Sequence, residues 1–178
     1  VTTCELDVAT GERAILKQQP VLGGFDPARY VTERLFVPAR DGDEIPLSRK
    51  KTLHLAEKMR IAQAAASLIQ SGDIVILDSG TTTAEIAKCI RAMHLDALTV
   101  ITNALNIASL LASVPRLRLI MPGGVLRSSS LSMSGPQAEA ALAALQADRL
   151  FLGVDSLDPA IGLMTPDVHE AQLNAQMI

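Results

Sequence analysis

Four short apolar runs, Ile74-Val75-Ile76-Leu77, Leu98-Thr99-Val100-Ile101, Leu117-Arg118-Leu119-Ile120-Met121 and Leu150-Phe151-Leu152-Gly153-Val154, constrain this chain more than anything else in it. Runs this apolar, with little polar alternation, are what a strand shows when both of its faces are covered. Between and after them, residues 84–93, 104–112, 136–146 and 167–178 read as helices, the third opening on Pro136. A further helix is expected ahead of the first strand, where Leu55, Met59, Ala62, Ala66 and Ile69 recur at helical spacing. Ser48 or Thr52 would cap it, and Gly72 stands where it would stop. Strands alternating with helices predict an α/β domain, a parallel sheet with helices on both faces. Ligands bind such sheets beyond the carboxyl ends of the strands.

The first 50 residues differ in kind. Three of the four aromatics lie there, with 4 alanines against 21 in residues 51–178. Residues 5–8 and 14–17 read as strands flanking a turn at Thr10-Gly11-Glu12. Pro20, Gly23-Gly24 and Asp26-Pro27 punctuate a loop, residues 30–37 read as another strand, and residues 40–43 as a turn. The expected division is therefore a strand-rich segment over 1–48 and an α/β domain over 49–178.

Candidate site residues cluster where strands end. Asp78-Ser79-Gly80-Thr81-Thr82-Thr83 runs from the first strand straight into a helix. Gly80 permits close backbone approach. Helix-start N–H groups and the Ser/Thr hydroxyls make a cradle for phosphate. The same residues also fit ordinary capping, since Thr82-x-x-Glu85 is a capping box. Thr102-Asn103 follows the second strand, and Pro122-Gly123-Gly124, Leu126-Arg127 and Ser128-Ser129-Ser130 follow the third. Arg127 suits a phosphate or carboxylate partner, or equally a solvated surface. Asp155, after the fourth strand and ahead of Gly162 and Thr165, either bonds sugar hydroxyls or orders its own loop. Glu170 is either an acid/base carboxylate or a helix-surface residue. His54, His94 and His169 lie far apart, and His169-Glu170 does not begin a zincin motif because position 173 is Leu. No metal and no cofactor are expected.

The segments LDSGTTTAEIAK, TVITNALNIA, PGGVLRSSSLSMSG, Ala138-Glu139 and FLGVDSLDPAIGLMTP with HEAQLN occur in that order. Together they resemble the effector-binding domain of DeoR-family transcriptional repressors, in particular the AgaR-like branch that governs amino-sugar catabolism, over residues 49–178. The resemblance implies a Rossmann-like fold of the ribose-5-phosphate isomerase and glucosamine-6-phosphate deaminase type, without catalysis. It implies a phosphorylated sugar effector, release from operator DNA as output, and a homo-oligomer. Carried over as ligand contacts are Asp78, Ser79, Gly80, Thr81, Thr82, Asn103, Gly123, Gly124, Arg127, Asp155 and Glu170. Residues 4–48, with Gly24-Phe25-Asp26, Tyr30-Val31-Thr32-Glu33-Arg34 and Ala39-Arg40-Asp41-Gly42, resemble instead the propeller-to-hydrolase junction of oligopeptidase-B-type members of the prolyl oligopeptidase family. No Gly-x-Ser-x-Gly nucleophile elbow occurs, so peptidase activity is not expected.

Remaining features set outer limits. Residues 1–50 carry no helix-turn-helix pattern, and the sequence stops inside an apparent helix. It reads as a truncated or chimeric frame, in which DNA contact belongs to a helix-turn-helix domain missing from this chain. The net charge of −3 argues against a strongly basic nucleic-acid face. An aromatic content of 2% argues against a base-stacking platform. No run approaches the ~18 apolar residues of a membrane span, and no signal peptide is visible. Two cysteines without a metal or redox spacing fit a cytoplasmic protein. The rival functions are a sugar-phosphate isomerase or deaminase on the same fold, and an inactive oligopeptidase fragment.

Overall fold

The computed structural model describes residues 2–6, 13–18, 47–158, 160, 162–165 and 167–178. The chain divides into two compact units, Val1–Val37 with Val154–Pro166, and Pro38–Gly153 with Asp167–Ile178. The first contains β1 (Thr2–Leu6) and β2 (Arg13–Gln18), paired antiparallel from Thr2↔Gln18 to Leu6↔Arg13. The expected pair is thus formed, with β1 beginning ahead of residue 5. The expected turn at 10–12, loop at 20–27, strand at 30–37 and turn at 40–43 lie outside the described residues.

The described part of the second unit begins with α1 (Leu47–Thr52) and α2 (Leu55–Ala66) rather than with one helix. His54 breaks them apart with left-handed backbone, φ 51° and ψ 40°. Neither expected cap operates: Ser48 lies inside α1, and the Thr52 hydroxyl donates back to the Arg49 carbonyl at 3.1 Å. The helical spacing holds for burial only in the last turns. Ala62, Ala66 and Ile69 are buried, whereas Leu55 and Met59 are 40% and 47% exposed. The helix also ends before Gly72, which lies in the turn to the sheet and donates its N–H to the Ala97 carbonyl at 2.8 Å.

Regular α/β alternation follows: β3 (Ile74–Leu77), α3 (Thr81–Ala92), β4 (Leu98–Thr102), α4 (Leu105–Leu111) and β5 (Leu117–Ile120). Next comes a short antiparallel hairpin, β6 (Val125–Arg127) with β7 (Ser132–Ser134), where a loop was expected. Then come α5 (Pro136–Ala143), with Pro136 at its start as expected, and β8 (Arg149–Phe151). β9 (Ser156–Asp158) and β10 (Gly162–Met164) pair antiparallel and belong to the first unit. α6 (Val168–Met177) closes the chain, with the Asp167 carboxylate accepting the Glu170 N–H at 2.9 Å as its N-cap.

β5, β4, β3 and β8 form one sheet in that order, every pairing parallel. Strand alternation sends Val75, Leu77 and Val100 into a core with Ile86, Ile90, Ile107 and Leu111 of α3 and α4. Ile76 and Ile101 point the other way, against Ala138, Leu142, Leu173 and Met177 of α5 and α6. The predicted α/β sheet with both faces covered is therefore present. Among the described residues no helix is long and apolar enough to cross a membrane.

The hairpin is stitched to the sheet edge. Met133 N–H donates to the Asn103 carbonyl and Leu105 N–H to the Leu131 carbonyl, both at 2.8 Å. Gly124 leads into it at φ 106°, and a Cβ there would meet the Ser134 carbonyl oxygen at 2.5 Å. Gly124→Ala is therefore expected to destabilise the chain by about 1–3 kcal/mol, read as a lowered urea midpoint. An unchanged midpoint would show that the hairpin does not hold this backbone in place.

Candidate functional site

The sheet order places a switch point between β3 and β8. From β3 the chain crosses outward to β4 and β5, whereas β8 lies on the other side of β3. Connections leaving two adjacent strands in opposite directions open a crevice at their carboxyl ends. Asp78 and Ser79 stand at that end of β3, and Leu152 and Gly153 at that end of β8.

α3 begins at Thr81, ahead of the expected residue 84. Its N-cap is Gly80, in extended backbone, and no side chain caps it. The capping box does not form: Thr82 is inside the first turn, and Glu85 binds Lys88 at 2.6 Å. The Thr83 hydroxyl donates to the Gly80 carbonyl at 3.1 Å, and a Cβ on Gly80 would press against that hydroxyl at 3.1 Å. Among the described residues no side-chain cap is therefore found at the N-terminus of α3. Its first-turn N–H groups present the positive end of a 12-residue helix at the crevice. Of the two openings the spacing allowed for this loop, the capped one is not built.

Asp78 is 0% exposed. One carboxylate oxygen, Oδ2, accepts the Gly153 N–H at 3.3 Å, while Oδ1 has no hydrogen-bond partner. Burial pushes its pKa up to about 7, against relief from the Ser79 N–H, and the Glu170 charge pushes it further the same way. Glu170 of α6 is thereby brought to bear on Asp78. Gly153 is a residue the sequence reading did not single out. A Cβ there would sit 3.3 Å from the Ser79 carbonyl and 3.5 Å from Asp78 Oδ2, a tight fit beside the first and ordinary contact with the second, so glycine eases the approach of β8 to this loop. A glycine ending the fourth apolar run was its one visible signal.

Asn103 is 1% exposed at the end of β4. Its Nδ2 donates to the Met133 carbonyl at 3.4 Å, and Oδ1 has no partner. Arg127 on β6 meets a carboxylate of the chain. It pairs with Asp167, the N-cap of α6, at 3.0 Å. Gly123, at φ 80°, has open space where a Cβ would go, whereas Gly124 is explained by packing. Asp155, in the other unit, accepts the Thr165 hydroxyl at 3.3 Å, which meets its loop-ordering role. Among the described residues no group of three His, Cys, Asp or Glu side chains is placed to hold a metal.

Sequence comparisons bear on the same region. A family model described as the DeoR C terminal sensor domain matches residues 53–178. A protein of Escherichia coli O157:H7 named "Putative aga operon transcriptional repressor" is 46% identical over 128 residues, covering 72% of this chain and 47% of that protein. The HTH-type transcriptional repressor CsqR of E. coli K12 is 34% identical over 122 residues, 68% of this chain and 46% of its own length. The glycerol-3-phosphate regulon repressor of E. coli K12 is 29% identical over 133 residues, 75% of this chain and 52% of its own length. The chain thus spans about half the length of these relatives. The resemblance of residues 4–48 to peptidases finds no support in these comparisons.

The buried carboxylate makes a prediction of its own. Asp78 titrates near 7 when folded and at 3.8 ordinarily. Between those values the unfolded chain binds fewer protons, so its contribution to stability falls as pH rises from about 4 to about 7 and is fully absent above that. At 1.36 kcal/mol per pH unit, the swing is on the order of 4 kcal/mol. Asp78→Asn is expected to flatten it, raising stability at pH 8 relative to the parent while leaving pH 4.5 little changed. Parallel urea titrations at the two pH values check this; an identical pH dependence in parent and variant would refute it.

Proposed function

The chain belongs to the DeoR C-terminal sensor domain family, and from that premise we propose that it binds a phosphorylated sugar at the crevice between β3 and β8 as the signal-receiving half of a transcriptional repressor. One observation carries the reading of the ligand. The uncapped N-terminus of α3, with Thr81 and Thr82 in its first turn, opens at the switch point of the sheet. Backbone N–H groups and hydroxyls there supply donors, and the helix dipole favours an anion. Asp78, Asn103, Gly123 and Glu170 would surround the rest of the ligand. Arg127 would act by positioning α6 through Asp167.

The relatives named for repression reach beyond this chain's match, and three of their names mention an operon, a regulon or an HTH-type repressor. In our reading the DNA-reading domain is therefore separate from the sensor, and effector binding governs operator release. The similarity to the aga operon relative favours an amino-sugar phosphate as effector. Oligomerisation into a homo-oligomer belongs to the same reading. The relatives are regulators, which supports a role outside catalysis. A sugar-phosphate isomerase and a peptidase fragment have no support from them.

Calorimetric titration of this chain tests the ligand class. D-galactosamine 6-phosphate is expected to bind, and D-galactosamine at the same concentrations is not. Replacing both Thr81 and Thr82 by Ala should weaken binding by roughly 1.5–3 kcal/mol per lost charge-assisted hydrogen bond. Equal affinity for the phosphorylated and free sugars would remove the phosphate reading.

A further inference from the structure

α1 is the first described element of the sensor unit, and it is weakly founded. It has six residues, and none of them is buried. Helices shorter than about 12 residues are marginal on their own in water, so contacts outside α1 must keep it in shape. One such contact is specific. Lys58 of α2 reaches back eight positions, and its Nζ donates to the Lys50 carbonyl at 2.6 Å. That carbonyl is among the last four of α1, which have no partner within the helix. A cation there also suits the negative end of the helix. His54 turns the chain between the two helices in left-handed backbone, and its carbonyl accepts the Lys58 N–H at 3.0 Å. Main chain and side chain of Lys58 thus both fasten the joint.

The same lysine stands where three helices come together. α2 packs on α3, and α1 also lies against α3. Lys58 is half-buried. Burial lowers its pKa, the Glu85 carboxylate of α3 pushes the other way, and the Lys50 charge lowers it again. Glu85 is itself well covered, its side chain 13% exposed, and it is shared: it binds Lys88 at 2.6 Å and bears on Lys58 through its charge. Glu85 lies four residues after Thr81, on the same face of α3 and one turn in from the crevice. An anion held at the N-terminus of α3 therefore arrives beside the carboxylate that supports the Lys58 ammonium. Added negative charge there favours the ammonium, and with it the charge-assisted hydrogen bond to α1.

We propose that Lys58 is a positioning residue that couples the crevice to α1: an anion bound at the N-terminus of α3 strengthens the hold of Lys58 Nζ on the Lys50 carbonyl and so firms α1 where the chain enters the sensor. This rests on the phosphate reading of the α3 N-terminus. Lys58 need not touch the ligand. A ligand shifts an equilibrium only by acting differently on its two states, and here the difference is the strength of one hydrogen bond. α1 is then the element through which occupancy of the crevice reaches whatever precedes the sensor.

Hydrogen–deuterium exchange of the whole chain, with and without D-galactosamine 6-phosphate, tests the coupling, and calorimetry on the same samples reports binding separately. Binding is expected to slow exchange of the α1 amides by at least about threefold. Lys58→Met, which keeps the length and removes the charge, should abolish that response. It should weaken binding by no more than about the same threefold, as reciprocity requires. Lys58→Arg, which keeps the charge, should retain the response. A purely structural lysine would alter the basal exchange of α1 and leave its response to ligand in place, and that result would overturn the proposal. Should Lys58→Met fail to fold, Glu85→Gln carries the comparison, since it removes the supporting charge and should weaken the response. Binding without any change in α1 would overturn the coupling and leave the phosphate reading intact. Failure of the phosphorylated sugar to bind would reject both.

Discussion

Asp78 sits with no exposure at the end of the central strand of a parallel sheet, and much of the surrounding architecture bears on keeping it there. Removing a carboxylate from water is costly unless it is paired or hydrogen-bonded. The chain supplies limited compensation: the Gly153 N–H, help from Ser79, and no cation among its causes of shift. The residue answers by titrating near neutral pH rather than near 4. Glycine at 153 eases the close approach of β8 from which its N–H donates. The β3–β8 pairing that brings it there is the same pairing that opens the crevice. One strained group thus ties the order of the strands to the place where a ligand would bind.

How much of this was legible in the sequence depends on how local the cause is. The strands of the parallel sheet were readable because burial on both faces leaves continuous apolar runs, and Ile74–Leu77 is as apolar as its position demands. Pro136 announced the start of α5 for an equally local reason. The hairpin of β6 and β7 was not readable. Its strands have three residues each, and what holds it is bonding to Asn103 and Leu105, far off in sequence. The exposure of the first turns of α2 was hidden for a different reason. Leu55 and Met59 keep helical spacing with the buried Ala62 and Ala66, yet their own end of that side is exposed, so periodicity promised burial that the fold delivers only further along.

The candidate site divides along the same line. The loop 78–83 was legible as a segment, because glycine and hydroxyl residues between an apolar run and a helix have few uses. Whether it caps itself was not. That turned on α3 starting at Thr81, which moved Thr82 from the cap into the first turn and gave Glu85 to Lys88. Arg127 was readable as a partner for a phosphate or a carboxylate, or as solvated, but the carboxylate it meets, Asp167, lies some forty positions on and no local pattern names it. The alignment of Asp78 with Asn103 depends on strand register, which no local pattern encodes.

The convergence of elements bears on how a sensor of this kind would transmit its signal. The N-terminus of α3, the end of β4, the hairpin tied to Asn103, and α6, held to Arg127 by Asp167 and bearing on Asp78 through the charge of Glu170, converge on the carboxyl edge of one sheet. A ligand bound only to the folded arrangement stabilises it by RT ln(1 + [L]/Kd), about 2.7 kcal/mol at a hundredfold excess over Kd. That energy would be felt where the chain is least well supplied, at the bare acceptors and the uncapped helix. Enzymes on such a fold would aim a basic carboxylate at a bond to be broken, with a partner acid to complete proton transfer. Here the carboxylate is buried, and its pKa is moved by burial, by hydrogen bonds from Ser79 and Gly153 and by the charge of a second carboxylate, Glu170; none of these is a cationic partner acid.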